Sequence, residues 1–204
     1  MEQRSNEWYE ARRGKATASR IADIITRTKT GYGASRKNYL AQLVAERLTG
    51  TVANSFSNAA MQWGTDTEPQ ARAAYEFYKD CEVTETGFID HPTIGMAGAS
   101  PDGLVGDDGL VEIKCPNTAT HIDTLLREVV PGKYITQMTW QMACTGRKWC
   151  DFVSFDPRMP ANMSLFVSRV PLDESYLHDI EGEVEKFLDE VAKTEAELVE
   201  RFAP

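Results

Sequence analysis

Ser100–Pro116, SPDGLVGDDGLVEIKCP, is the stretch on which the fold turns. Two short runs rich in Leu, Val and Ile flank Gly106-Asp107-Asp108-Gly109, the composition of a tight β-hairpin. With Asp107 and Asp108 as the two central turn residues, Asp102 falls opposite Ile113 and beside Glu112. Glu112 and Lys114 are two apart and share one face of their strand, while Ile113 turns into the core. An aspartate, a glutamate and a lysine therefore converge. Two carboxylates held close together repel, and a divalent cation between them relieves the repulsion; such oxygen donors suit Mg²⁺ or Mn²⁺. The Lys114 amine is redundant for holding metal, but it suits orienting or deprotonating a water, or stabilising charge on a phosphoryl group. On spacing alone the same residues fit an edge strand with an Asp-Lys ion pair across it, because Asp followed by Glu-x-Lys is common by chance.

Outward from this hairpin the pattern predicts an α/β chain. Upstream, Ile21, Ile24 and Ile25, then Tyr39, Leu40, Leu43, Val44 and Leu48, have helical spacing, and Gly50 ends the second helix. The glycine-rich loop 29–35 lacks the Gly-Lys-Ser/Thr ending of a nucleotide-cradling loop. From Ser57 through Trp63, Ala71, Ala74, Tyr75 and Phe77 the pattern is helical again, with Gly64 and Pro69 predicted to divide it into two helices. Val83, Phe88 and Ile94 join the hairpin residues in short, sheet-like runs. Downstream come helices near 118–128 and 133–145, and strands at 149–155 and 163–170. A closing helix is spaced by Tyr176, Ile180, Val184, Phe187, Leu188, Val191 and Leu198.

Composition bounds the answer. The chain has 204 residues, 42% hydrophobic and 26% charged, which predicts one globular domain over 1–204 and excludes disordered and collagen-like classes. Met1–Ser19 carries charges throughout and no apolar core, and no later run has the length of a membrane span, so the expected compartment is the cytosol. The four cysteines include no C-x-x-C pair and make no zinc spacing with the three histidines. The net charge of −9 is unevenly placed: residues 1–50 hold ten Lys/Arg and five Asp/Glu, whereas residues 172–204 hold three and eleven. An acidic total therefore leaves room for a basic face that binds a polyanion.

An ordered set of residues adds to this reading. Trp8, Arg12, Gly14 and Thr17–Ser19 come first, then Trp63-Gly64 with Glu68 and Ser100-Pro-Asp-Gly103. Glu112-Ile-Lys-Cys-Pro116, Tyr134 with Gln137, and Phe155-Asp-Pro-Arg-Met159 follow. In this order and spacing, from about Glu7 to Met159, the chain resembles the phage lambda exonuclease group, the YqaJ-like viral recombinases. The resemblance implies a restriction-endonuclease-like core, a central mixed β-sheet flanked by helices. The implied activity is a Mg²⁺-dependent double-strand DNA exonuclease that degrades the 5′-ended strand and leaves 3′ single strands for phage-type recombination.

The resemblance also implies roles. Asp102 and Glu112 match the metal-binding acids, with the Ile113 carbonyl as a further ligand, and Lys114 matches the catalytic lysine. Glu68 and Gln137 match a supporting acid and amide, for a site of two ions. Taken alone, Glu68 reads as a first-turn carboxylate before Pro69, and Gln137 as one of two solvated amides with Gln141. Arg12, Ser19 and Ser100 match a pocket for the terminal 5′-phosphate, chemistry that suits a guanidinium, hydroxyls and, for Ser19, the start of a helix. Thr17 or Ser19 is equally a plain helix cap. Met61 stands where the family carries an apolar wedge between terminal bases, though a methionine there also fits a core.

The implied partners are double-stranded DNA ends, two more copies of the chain in a ring-shaped homotrimer, and a single-strand annealing protein, with no membrane. The segment after Pro116, NTATHIDTLLREV, has no basic residue at the place where the lambda enzyme carries one near the DNA path, and 57–62 has no lysine. A sequence-specific endonuclease on the same core and a non-catalytic DNA-end-binding scaffold are the other readings.

Overall fold

A computed structural model describes residues 1–29, 31–52 and 59–203. The chain opens with α1 (Asn6–Arg12), whose first turn is capped by Ser5 accepting from the Trp8 N–H. Next come β1 (Ala16–Thr17), a 3₁₀ turn at Ala18–Arg20, α2 (Ile21–Ile25), the small hairpin β2 (Arg27–Thr28) and β3 (Gly31–Tyr32), and α3 (Ala34–Thr49). Gly50 ends α3 in the left-handed conformation, as expected of a glycine stop.

α4 (Ala59–Lys79) corrects the expectation of two helices: Pro69 lies inside one continuous helix. The proline forgoes a helical hydrogen bond. Ala71 and Tyr75, both fully buried, seat the helix on Val111, Ile113 and Val153, and this packing overrides the local preference. Gly64 is not a break either; a Cβ there would meet open space. The expected start at Ser57 lies outside the described residues.

The rest of the chain runs β4 (Val83–Thr84), β5 (Ile89–Asp90), β6 (Ala97–Ala99), β7 (Gly103–Val105), β8 (Gly109–Lys114), α5 (Thr118–Arg127), α6 (Gly132–Thr145), β9 (Trp149–Phe155), β10 (Leu165–Pro171) and α7 (Glu174–Arg201). Among the described residues the central sheet has the order β10-β9-β8-β7-β4. It is mixed, because β8 and β9 run parallel and α5 and α6 make the crossover between them, while the other neighbours are antiparallel. A smaller sheet, β1-β6-β5, packs against α6 and the 3₁₀ turn. Phe88 and Ile94 fall outside the strands.

Alternation along β8 sorts its side chains. Val111 and Ile113 face α4, and Leu110 faces Met138 and Met142 of α6. Ala16, Ile21, Ile24, Tyr39 and Leu43 pack with Trp140 and the apolar stripe of α7. α7 also pairs with three of the basic residues among the first fifty: Arg36 reaches Glu190 at 3.0 Å, Arg27 reaches Glu183 at 3.2 Å and Arg47 reaches Glu195 at 3.6 Å.

The hairpin register differs from the expected one by a residue. Gly103 pairs with Val111 and Val105 with Gly109, so the turn has three residues, Gly106 to Asp108. Gly106 adopts φ +53°, and Arg147 Nη1 donates to the carbonyls of Val105 (3.3 Å), Gly106 (2.7 Å) and Gly109 (2.7 Å). The longer turn has its stabiliser in a residue forty positions away in sequence, which local composition does not reveal. Gly109 is required sterically, since a Cβ there would lie 2.0 Å from the Trp149 ring. Among the described residues no helix is long and apolar enough to cross a membrane, and all four cysteines are free.

Candidate active site and phosphate cavity

β8 carries Glu112 and Lys114 on the face covered by α6. Glu112 is fully buried, yet both its oxygens are occupied: Gln137 Nε2 donates to Oε1 and Gln141 Nε2 to Oε2, each at 2.6 Å, and Lys114 Nζ also contacts Oε1. Gln137 and Gln141 are one helical turn apart on α6, so a single face presents both amides. Gln141 is fully buried rather than solvated, which corrects that expectation, and its Oε1 has no partner among the described residues. The i, i+4 spacing was visible in the sequence; that the shared face turns inward onto an acid was not.

Asp102, just before β7, accepts from the Ile113 N–H at 2.7 Å through Oδ2. The contact of Ile113 with Asp102 is thus its N–H, while its side chain packs beneath α4. Burial first, and then repulsion from Glu112, push the Asp102 carboxyl well above its usual range against the pull of Lys114. For Lys114, burial would lower the amine, but the Glu112 and Asp102 carboxylates outweigh it and hold the ammonium above its ordinary range. Lys114 is therefore protonated at neutral pH, suited to orienting a water or meeting negative charge rather than to acting as a resting base. Cys115, next along the chain, is no nucleophile, because burial and nearby acids raise its thiol to about 12.

Glu68 approaches from α4. Arg4 Nη2 and Arg72 Nη2 each hold one of its oxygens at 3.0 Å. Its negative charge also contributes to raising Asp102.

A divalent cation asks for oxygen donors held close together. Among the described residues no three His, Cys, Asp or Glu groups form a closed cage. Mg²⁺ seldom uses one; it takes one or two carboxylates and completes its shell with waters and substrate phosphate oxygens. Asp102 and Glu112 supply that pair, and an acid driven toward its neutral form by burial and by a neighbouring acid gains most from a cation. The residues fit.

Beyond Asp102 opens a second, basic region. Ser100 Oγ accepts from Trp8 Nε1 at 2.9 Å and from Arg12 Nη1 at 3.1 Å, and the Arg12 guanidinium lies over the Trp8 ring at 4.1 Å. Burial lowers the Arg12 guanidinium from its ordinary value without discharging it. Arg12, the exposed Ser19, Trp8, Arg4 and the half-exposed Met61 line a cavity of about 380 Å³. Ser19 lies in the 3₁₀ turn before α2, not at a helix cap, and Thr17 makes no side-chain cap. The Thr17 N–H is taken by the Tyr39 hydroxyl at 3.0 Å. Trp8 and Arg4 are the residues of this region to which the sequence pattern assigned no role.

A mixed sheet between helices, with an Asp-Glu-Lys cluster at the end of its central hairpin, defines a nuclease core of the restriction-endonuclease-like class. Residues 7–148 match the YqaJ-like viral recombinase domain, and the chain belongs to that family. The alkaline exonuclease LHK-Exo from Laribacter hongkongensis is 52% identical with a TM-score of 0.92, and 53% identical with a TM-score of 0.93 in its complex with dAMP; coverage is 98% of each chain in both cases. A phage-related exonuclease from Haemophilus somnus 129PT is 15% identical over 93% of this chain and 96% of its own, with a TM-score of 0.72, a likeness of fold. No curated protein matches the chain.

Proposed function

We propose that the protein is a Mg²⁺-dependent 5′-to-3′ exonuclease acting on double-stranded DNA ends, releasing nucleotides from the 5′-ended strand to leave 3′ single strands for recombination. The observation that carries this reading is adjacency. The Asp102–Glu112–Lys114 cluster and the Arg12–Ser100 pair are joined by the three-residue segment Ser100–Asp102, so a nucleotide whose phosphate rests on Arg12 lies beside the acids. Family membership and the kinship with an alkaline exonuclease support the nuclease role in recombination. That the relative holds dAMP supports a site of deoxynucleoside monophosphate size.

In this reading Asp102 and Glu112 hold one or two Mg²⁺ or Mn²⁺ ions. Bound there, the ions would polarise the scissile phosphoryl group and make water a better nucleophile. Gln137 and Gln141 fix the Glu112 carboxylate by donating one hydrogen bond to each oxygen, leaving it no freedom to rotate. Lys114 holds its proton beside Glu112 and orients the attacking water or meets the charge that develops on the phosphoryl oxygens. Arg12 and the hydroxyls of Ser19 and Ser100 bind the terminal 5′-phosphate and so choose the strand. Met61, exposed at the cavity, separates the terminal bases. The ring-shaped homotrimer and the annealing partner belong to the same proposal and are tested by solution mass and co-purification.

The test is a time course on end-labelled linear duplex. Digestion from the 5′ end with Mg²⁺, none with chelator and none on a covalently closed circle is the expected result. Nicking of the closed circle would overturn the exonuclease reading in favour of an endonuclease. Replacing the 5′-phosphate by hydroxyl slows digestion; indifference to it would overturn the assignment of Arg12, Ser19 and Ser100.

A further inference from the structure

Segment 1–5 is tied down beside the acids. Gln3 Nε2 donates to the carbonyls of Thr86 (2.9 Å) and Pro101 (2.8 Å), the latter immediately before Asp102. Met1 packs so closely on Gly87 that a Cβ there would lie 2.6 Å from the Met1 carbonyl oxygen. From this strap Arg4 reaches Glu68, with φ +69° at its own backbone, a left-handed conformation that a residue with a Cβ rarely adopts.

The two arginines on Glu68 differ. Arg72 is nearly buried, comes from the same helix and also pairs with Glu85, so it is a fixed support. Arg4 has 48% of its side chain exposed and lines the cavity that holds Arg12 and Ser19. Its guanidinium thus stands between the acidic cluster and the basic cavity. A pair this exposed is weak, so an arriving cation displaces Arg4 easily, and a freed guanidinium beside Arg12 suits phosphate oxygens.

We propose that Arg4 is a positioning residue that exchanges partners. It pairs with Glu68, and when Glu68 turns to a divalent ion, Arg4 swings to the phosphate of the terminal nucleotide. The proposal rests on the metal-site reading given above. Arg4 then makes occupation of the acidic cluster and grip on the nucleotide mutually supportive, since each releases the group the other needs.

The experiment is a Mn²⁺ titration followed by electron paramagnetic resonance, paired with affinity for 5′-phosphorylated and 5′-hydroxyl duplex ends. It compares the parent, Arg4→Gly and Glu68→Gln. Glycine keeps the left-handed turn without strain, so Arg4→Gly removes the guanidinium and leaves the strap. Arg4→Gly is expected to bind Mn²⁺ two- to fivefold more tightly and to lose its preference for the 5′-phosphate by at least threefold. Glu68→Gln is expected to bind Mn²⁺ more weakly and keep that preference. A merely structural Arg4 would weaken both kinds of binding together, so Mn²⁺ affinity in Arg4→Gly equal to or below the parent's would overturn the proposal, as would an unchanged phosphate preference. Mn²⁺ binding by the parent that survives Asp102→Asn would overturn the metal-site reading itself, and this inference with it; loss of binding in Asp102→Asn with no gain in Arg4→Gly overturns the exchange alone.

Discussion

Two buried acids lie on opposite faces of neighbouring strands and differ in how their charge is met. Asp151, on β9 beneath α4, accepts from the Tyr75 hydroxyl at 2.8 Å and from Arg169 Nε and Nη2 at 2.8 and 3.0 Å, with Lys79 Nζ at 3.9 Å. Arg169 is itself stacked over Trp149 at 3.4 Å. Glu112, on β8 beneath α6, is held by two neutral amides and shares the single ammonium of Lys114 with Asp102. Burial alone does not distinguish them, for both are fully buried. Compensation does. Asp151 is met by cation and hydroxyl and holds the sheet to α4, whereas the Asp102–Glu112 pair has one ammonium for two carboxyls and is relieved by a proton on Asp102 or by a further cation.

The contrast yields tests in descending size. Lys114→Ala is expected to lower single-turnover hydrolysis of end-labelled duplex by at least 10³-fold, in the range of lost transition-state charge stabilisation, while gel-shift affinity for the ends persists; equal rates would break the comparison. Arg169→Met leaves Asp151 buried without its cation and is expected to cost about 3 kcal/mol in urea unfolding with little effect on the chemical step. Asp102→Asn has the opposite sign. An acid whose folded pKa is raised above the unfolded value near 3.9 loses stability as pH climbs from there toward the raised value, so in chelator at pH 7 the variant is expected to be more stable than the parent in urea unfolding, and inactive with Mg²⁺.

The smallest effect concerns a third buried acid. Asp156 is held down to about 2 chiefly by hydrogen bonds from Arg158, with Thr118 adding another. Its folded pKa is depressed, so its contribution is present above pH 4 and fades as pH falls toward 2. Arg158→Ala is expected to shift the midpoint of acid unfolding upward by a few tenths of a pH unit and leave neutral-pH stability within about 1 kcal/mol, read by circular dichroism.

Much of this was legible in the sequence, for reasons that can be named. The α/β order follows from hydrophobic period, and α5, α6, β9 and α7 fall within a few residues of expectation because each is bounded by its own caps, turns or prolines. The placement of Glu112 and Lys114 on one face needs only the two-residue period of a strand. What was not legible depends on distant partners. The hairpin register rests on Arg147, the continuity of α4 through Pro69 on a sheet contributed by later residues, and the inward turn of Gln141 on the helix pair that bridges β8 to β9. Arg4 is the extreme case. A lone basic residue near the start of the chain carries no local pattern, and its meaning comes from Glu68, 64 positions on.

Arg147 ties the exit of α6 to the turn of the hairpin, and the Lys148 N–H extends the tie to the Asp108 carbonyl at 2.8 Å. α6 and the hairpin are thereby stapled at one end and bonded through Glu112 at the other, so amides and carboxylate travel as one stiff body.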